Sequence, residues 1–288
     1  MLIRYGYELA FTCPQPTLMV CLLDAHRDQS PQLRYKRPPT TNPLVAAATY
    51  IDSFGNAVLR FVAPPGDLTI TSDAVIEDSG LPETIDLDAN EVPVEQLPNE
   101  TLQFLLASRY CETDLLGDIA WEHFKSSPRG WRRVQAICDF VCDRLTFGYE
   151  HARPTRTAFE AYQERVGVCR DFSHLAVAFC RCMNIPARYA NGFLGDIGVP
   201  PDPAPMDYNA WFEVFLDGGW RTFDARHNMP RIGRITVARG RDATDIPLVN
   251  SFGPHVLKTF RVWTEEIDEA TLRDLLTREE SGARRSIA

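Results

Sequence analysis

No run in this sequence of 288 residues is apolar enough to cross a membrane as a helix, because charges or prolines interrupt every hydrophobic stretch before the ~18 residues that a span needs. The opening residues, MLIRYGYELAFTCP, alternate and soon meet Pro14, so they lack the unbroken apolar core and small-residue cleavage site of a secretory signal. A surplus of basic residues is missing too. The net charge of -9 and the pI near 5.2 oppose the basic footprint that phosphate backbones require, which excludes nucleic acid as a partner. Zinc knuckles are absent: Cys138 and Cys142 lie four apart and Cys180 and Cys182 two apart, neither matching the paired spacing of a structural zinc site. No loop carries oxygen ligands at the spacing of a calcium-binding hand. No metal, no cofactor and no membrane partner is therefore expected, and the cytoplasm is the expected address. There is no internal repeat.

What is present suits a globular protein with a substantial core, at 44% hydrophobic residues. The eight cysteines read as reduced, mostly buried thiols, since nothing indicates a secretory setting. Residues 1–77 alternate in short runs (IRYGYELAF, TLMVCLL, TYIDSFG, AVLRFVAP) broken by Gly55, Asn56 and the Pro64, Pro65, Gly66 turn, which predicts an N-terminal β-sandwich. Residues 78–99 are acidic, carry Pro82, Pro93 and Pro98, and read as an exposed linker.

Residues 100–267 form the expected second domain. Apolar residues recur at helical spacing over 100–107, 117–124 and 131–145. Two more helices are predicted at 157–165 and 169–183, then strands at 187–193, 210–216 and 220–223, the last two joined through Asp217, Gly218 and Gly219. Helices followed by antiparallel strands predict an α+β domain. A further strand is available at 255–265, and residues 268–288 read as a largely disordered tail.

The most informative segment is RVGVCRDFSHLAVAFCRCMNIPARY, in which Gly167 and Val168 lead into a helix whose first turn holds Cys169. A thiol there sees unpaired amide donors and the positive end of the helix dipole, both of which favour thiolate. The same amides can hold an oxyanion after attack on a carbonyl. The alternative is that Cys169, like the other cysteines, is a small buried hydrophobe.

GVCRDF, followed by AWFEVFLDGGWRTFDAR, resembles the transglutaminase-like superfamily, which includes bacterial cysteine proteases with an N-terminal sandwich. The resemblance implies a papain-like core and thioester acyl chemistry on a peptide or protein amide, ending in hydrolysis or in transfer to an amine. It implies a nucleophilic cysteine at Cys169, an aspartate at Asp224, and a histidine just before the Ala-Trp pair. This chain has Asn209 there. An amide cannot exchange protons near neutral pH as imidazole does.

Three readings follow. His227 stands in as the base: centring the hairpin on Gly218 sets it opposite Asn209, at roughly 4.5 to 5.5 Å between Cβ atoms. Or His227 is a polar residue past a strand end, and the chain is a catalytically inactive module that binds peptide or protein. Or the helix N-terminus alone activates Cys169 for slow acyl transfer. His174 points about 140° away from the thiol on its helix, and His151 sits in a loop. Trp211 and Trp220 either wall a substrate groove or pack the core. Arg226, Arg231, Arg234, Arg239 and Arg241 either anchor carboxylates of an acidic substrate or pair at the surface with Asp242, Asp245 and other acids.

Overall fold

The computed structural model describes residues 1–287, with side-chain surroundings through residue 278. The alternating N-terminal runs become β1 (Leu2–Cys13), β2 (Thr17–Cys21), β3 (Leu33–Asn42), β4 (Ala47–Ile51), β5 (Ala57–Ala63) and β6 (Gly66–Glu77). They form the expected sandwich, but not alone. One sheet runs in the order β14-β1-β6-β3 and the other β13-β2-β5-β4, where β13 (Val249–Phe252) and β14 (Val256–Ile267) come from the far end of the chain. β14 lies along nearly all of β1, from Leu2 opposite Ile267 to Thr12 opposite Val256. Residues 249–267, expected in the second domain, therefore supply strands to the sandwich. β1 has a buried, twelve-residue pattern, and such a strand left at an edge would expose a long row of unpaired backbone groups.

The acidic stretch 78–99 is largely exposed, as expected, with Leu81, Ile85 and Leu87 at the surface, but it is anchored to the rest of the molecule. Ala89 and Leu97 are buried, the Glu91 carboxylate meets Arg129 and Arg133, and Glu83 reaches Arg234 at 2.6 Å. Its acids serve basic side chains of the core. Within the tail expected to be largely disordered, Glu269–Ile287 form helix α5, which starts where the Asp268 carboxylate accepts the Thr271 N–H at 2.8 Å, and Leu272 packs with Leu2, Tyr35 and Val75.

Between these pieces lie α1 (Thr113–Phe124), α2 (Trp131–Arg144), α3 (Ala158–Glu164) and α4 (Cys169–Cys182), with the short parallel pair β7 (Thr146–Phe147) and β8 (Val166–Gly167). An antiparallel sheet follows in the order β11-β10-β9-β12, from β9 (Ala187–Phe193), β10 (Asn209–Leu216), β11 (Gly219–Phe223) and β12 (Ile235–Gly240). α4 is buried from Asp171 to Arg181 and packs on α1, α2, α3 and β10. Leu175, Val177 and Phe179 share one core with Phe212, Val214 and Leu216. On the other face of β10, buried Glu213 is gripped by Arg188 at 2.7 Å and Arg239 at 3.0 Å. A strand buried on both faces belongs inside a sheet.

Candidate active site

Two side chains and one glycine set the start of α4. The buried Asp171 carboxylate turns back to accept the Val168 N–H at 3.0 Å and meets Arg156 at 3.1 Å. This leaves no room beside Gly167, where an added Cβ would lie 2.7 Å from Asp171 Cβ. Cys169 is thereby placed in the first turn, and among the described residues neither its N–H nor that of Arg170 finds a backbone acceptor, as the first amides of a helix do not. The predicted oxyanion donors are thus free.

Cys169 is half-buried on the wall of an open groove of about 500 Å³, shared with Tyr110, Tyr189, Asn191, Asp207 and Asn209. Burial of the sulfur pushes the thiol up to about 11, against the pull of the Arg226 charge and of a hydrogen bond from the Ala210 N–H, while Asp207 and Asp224 raise it further. The resting thiol is therefore protonated at neutral pH.

The hairpin register departs from expectation by one residue. Phe212 pairs with Phe223 and Leu216 with Gly219, so the turn is only Asp217 and Gly218, the latter at φ 77°, and the ladder extrapolates from Asn209 to Arg226 rather than to His227. That is also what the side chains do: Arg226 Nη1 donates to Asn209 Oδ1 at 3.1 Å. His227 does not sit across from Asn209. It lies in the turn after β11, where Asp224 Oδ1 accepts the N–H groups of Arg226 and His227, both at 3.0 Å.

Asp224 Oδ2 meets His227 Nδ1 at 2.8 Å and Arg234 at 3.2 Å. Burial by itself would raise the Asp224 carboxyl, but His227 and Arg234 outweigh it and hold it well below the ordinary carboxylate range. The acid thus orients a histidine, though one three residues along the chain. His227 lines a small cavity of about 90 Å³ with Arg226, Asn209, Asp207 and Tyr149. Asp207 and Asn209 also line the Cys169 groove. No hydrogen bond joins His227 to Cys169 among the described residues.

His174 is structural: fully buried, stacked on Tyr110 with ring centroids 5.1 Å apart, its Nε2 accepts the Ala243 N–H at 3.1 Å. Burial draws its pKa down to about 3, which keeps it neutral. His151 ends a short 3-10 turn, 3.6 Å from Glu150. Neither tryptophan lines the Cys169 groove; Trp211 belongs to the core and Trp220 is half-buried. Trp211 is fully buried under the Arg234 guanidinium, and Trp220 packs on Phe104 and Arg188 at the far end of β10. The arginines are not a solvated face. Pairing with acids is as expected, Arg241 with Asp245 and Arg239 with the exposed Asp28, but Arg239 also joins buried Glu213, and Arg231 and Arg234 are buried in ion pairs with Asp196 and with Glu83 and Asp224 rather than at the surface. Asp242 accepts the Tyr110 N–H instead. Arg234 and Glu83, which support Asp224, went unrecognised, because nothing local marks an arginine as buried.

The chain is similar to known proteins in sequence and in fold. Residues 120–225 match the family model of the transglutaminase-like superfamily. The uncharacterized protein ML0607 of Mycobacterium leprae is 26% identical over 212 residues, 72% of this chain and 76% of its own. Rv2569c of Mycobacterium tuberculosis, also uncharacterized, is 27% identical over 221 residues, covering 69% of this chain and 70% of that one. Among solved structures, a putative cysteine protease from Cytophaga hutchinsonii superimposes with a TM-score of 0.81 at 25% identity, over 93% of this chain and 91% of its own. The matched segment holds Cys169, Asn209 and Asp224, and the likeness to the Cytophaga hutchinsonii structure extends through the sandwich: residues 120–225 form a transglutaminase-like domain.

Proposed function

We propose that this chain is a cysteine hydrolase of the transglutaminase-like type, acting on an amide of a peptide or protein, with Cys169 as nucleophile and His227 as its base. The observation that carries this reading is the 2.8 Å contact of Asp224 with His227 Nδ1, which leaves Nε2 as the proton-exchanging nitrogen, as carboxylate–histidine pairs do in other hydrolases. In the first step the thiol proton passes to His227 Nε2 and Sγ bonds to the acyl carbon, with the oxyanion held by the Cys169 and Arg170 amides. The C–N bond then breaks and the amine leaves with that proton. Water adds to the thioester, the S–C bond breaks, and the acid and the thiol are released. An amine in place of water gives transfer to a new amide. A cytoplasmic setting suits eight unpaired cysteines.

A second reading, a catalytically inactive binding module, draws on Asn209 at the family histidine position and on the raised Cys169 thiol. One experiment separates them: incubation with an activated peptide ester, followed by intact mass. The hydrolase gives an acyl adduct on Cys169 that decays, is absent in Cys169→Ala and slows in His227→Ala. No adduct on the parent chain would leave the binding module.

A further inference from the structure

Of the arginines that follow the hairpin, Arg231, Arg234, Arg239 and Arg241 each have a carboxylate within ion-pair distance, whereas Arg226 has none among the described residues. Its guanidinium is nevertheless fixed. Cζ lies 3.7 Å over the Phe147 ring, Nη1 donates to Asn209 Oδ1 at 3.1 Å, and its backbone N–H is held by Asp224. Asn209 borders the Cys169 groove, and the next amide along β10, that of Ala210, donates to the sulfur.

We propose that Arg226 is the built-in counter-charge of the Cys169 thiolate, held in position by Asn209 and Phe147. On this view Asn209 is a positioning residue, and the positive charge that a histidine would supply at this place comes from Arg226. The inference rests on Cys169 being the nucleophile. The groups acting on the thiol come from every side: Arg226 lowers its pKa, and Asp207 and Asp224 oppose it, while Tyr149 and Tyr189 couple to it as neutral phenols. Arg226 is the cation among them. An arginine suits the task because it stays charged and its planar fork can stack and donate together.

The test is the rate of Cys169 alkylation by iodoacetamide from about pH 6 to about pH 10, read on the peptide containing Cys169. Arg226→Gln is expected to react about tenfold more slowly throughout the range below the thiol's titration, the equivalent of one pKa unit. Arg226→Lys should fall between, since it keeps the charge but not the stack and fork. Asn209→Asp, a near-isosteric change that sets a carboxylate against the guanidinium, should slow the reaction comparably and serves where Arg226→Gln does not fold. Either variant, folded and reacting within about twofold of the parent, overturns the proposal. Alkylation needs no turnover, so this result stands apart from whether the chain hydrolyses anything.

Discussion

His227 Nδ1 lies 2.8 Å from the Asp224 carboxylate, three residues earlier in the same turn. On the proposed reading this contact gives Asp224 the duty that the family resemblance implies for it, with a different histidine as the recipient. His227→Ala should therefore lower amide hydrolysis by about 10²- to 10⁴-fold, the usual worth of a general base, measured as kcat with a peptide substrate. Its ring is partly exposed, at 21%, which predicts a melting temperature close to that of the parent. An unchanged kcat would remove His227 from the mechanism.

Arg234 links Glu83 to Asp224, and both it and Asp224 are nearly inaccessible. Arg234→Met leaves two carboxylates without their cation, one of them buried, which should cost about 3–5 kcal/mol in urea unfolding. The pH dependence has a defined sign. Because the Asp224 carboxyl is held below its ordinary range, its contribution is complete above about pH 4 and is lost on further acidification. The gap between variant and parent should thus narrow in acid. A gap independent of pH would mean that packing, not charge, is what Arg234 provides.

Gly167 has Asp171 against the position of its missing Cβ. Gly167→Ala should destabilise the fold by about 1–3 kcal/mol, as overpacking does, and displace the first turn of α4. Thermal melting reports the first effect and Cys169 alkylation the second. A variant matching the parent in both would show that Asp171 can yield without disturbing the helix start.

His174 is neutral in the fold, its pKa drawn down to about 3 by burial. The unfolded chain takes up that proton near pH 6.5 and the folded chain does not, so stability is present at neutral pH and lost as pH falls from about 6.5 toward about 3. Urea unfolding should show a decline of up to about 2 kcal/mol between pH 6.5 and pH 5, a window that lies above the titration of its neighbour Asp242. His174→Gln should flatten this decline; a slope unchanged in that variant would place the titrating group elsewhere.

Much of the core was legible because its signals are local. Strand β9 starts and ends where its alternation does, and α4 begins at Cys169 because Gly167 and Asp171 shape that entry within a few residues. The expected sandwich was legible for its N-terminal strands but not for its partners β13 and β14, since pairing across most of the chain leaves no trace in the spacing of either segment. The tail helix went unseen because a polar segment carries little periodicity; Leu272 meets its partners Leu2, Tyr35 and Val75 only in three dimensions.

The sequence by itself marked the transglutaminase-like resemblance, Cys169 as the candidate nucleophile and Asn209 at the place of a histidine, all of which depend on which residue stands where along the chain. Tertiary structure decided what surrounds Asn209. A hairpin shorter by one residue than expected sets Arg226 rather than His227 toward Asn209. A carboxylate buried in the turn then draws His227 to itself, while Glu83, remote in sequence, holds Arg234 on the same acid. Long charged side chains take their partners from whatever the fold brings within reach, and a change of one residue in register changes every one of those partners.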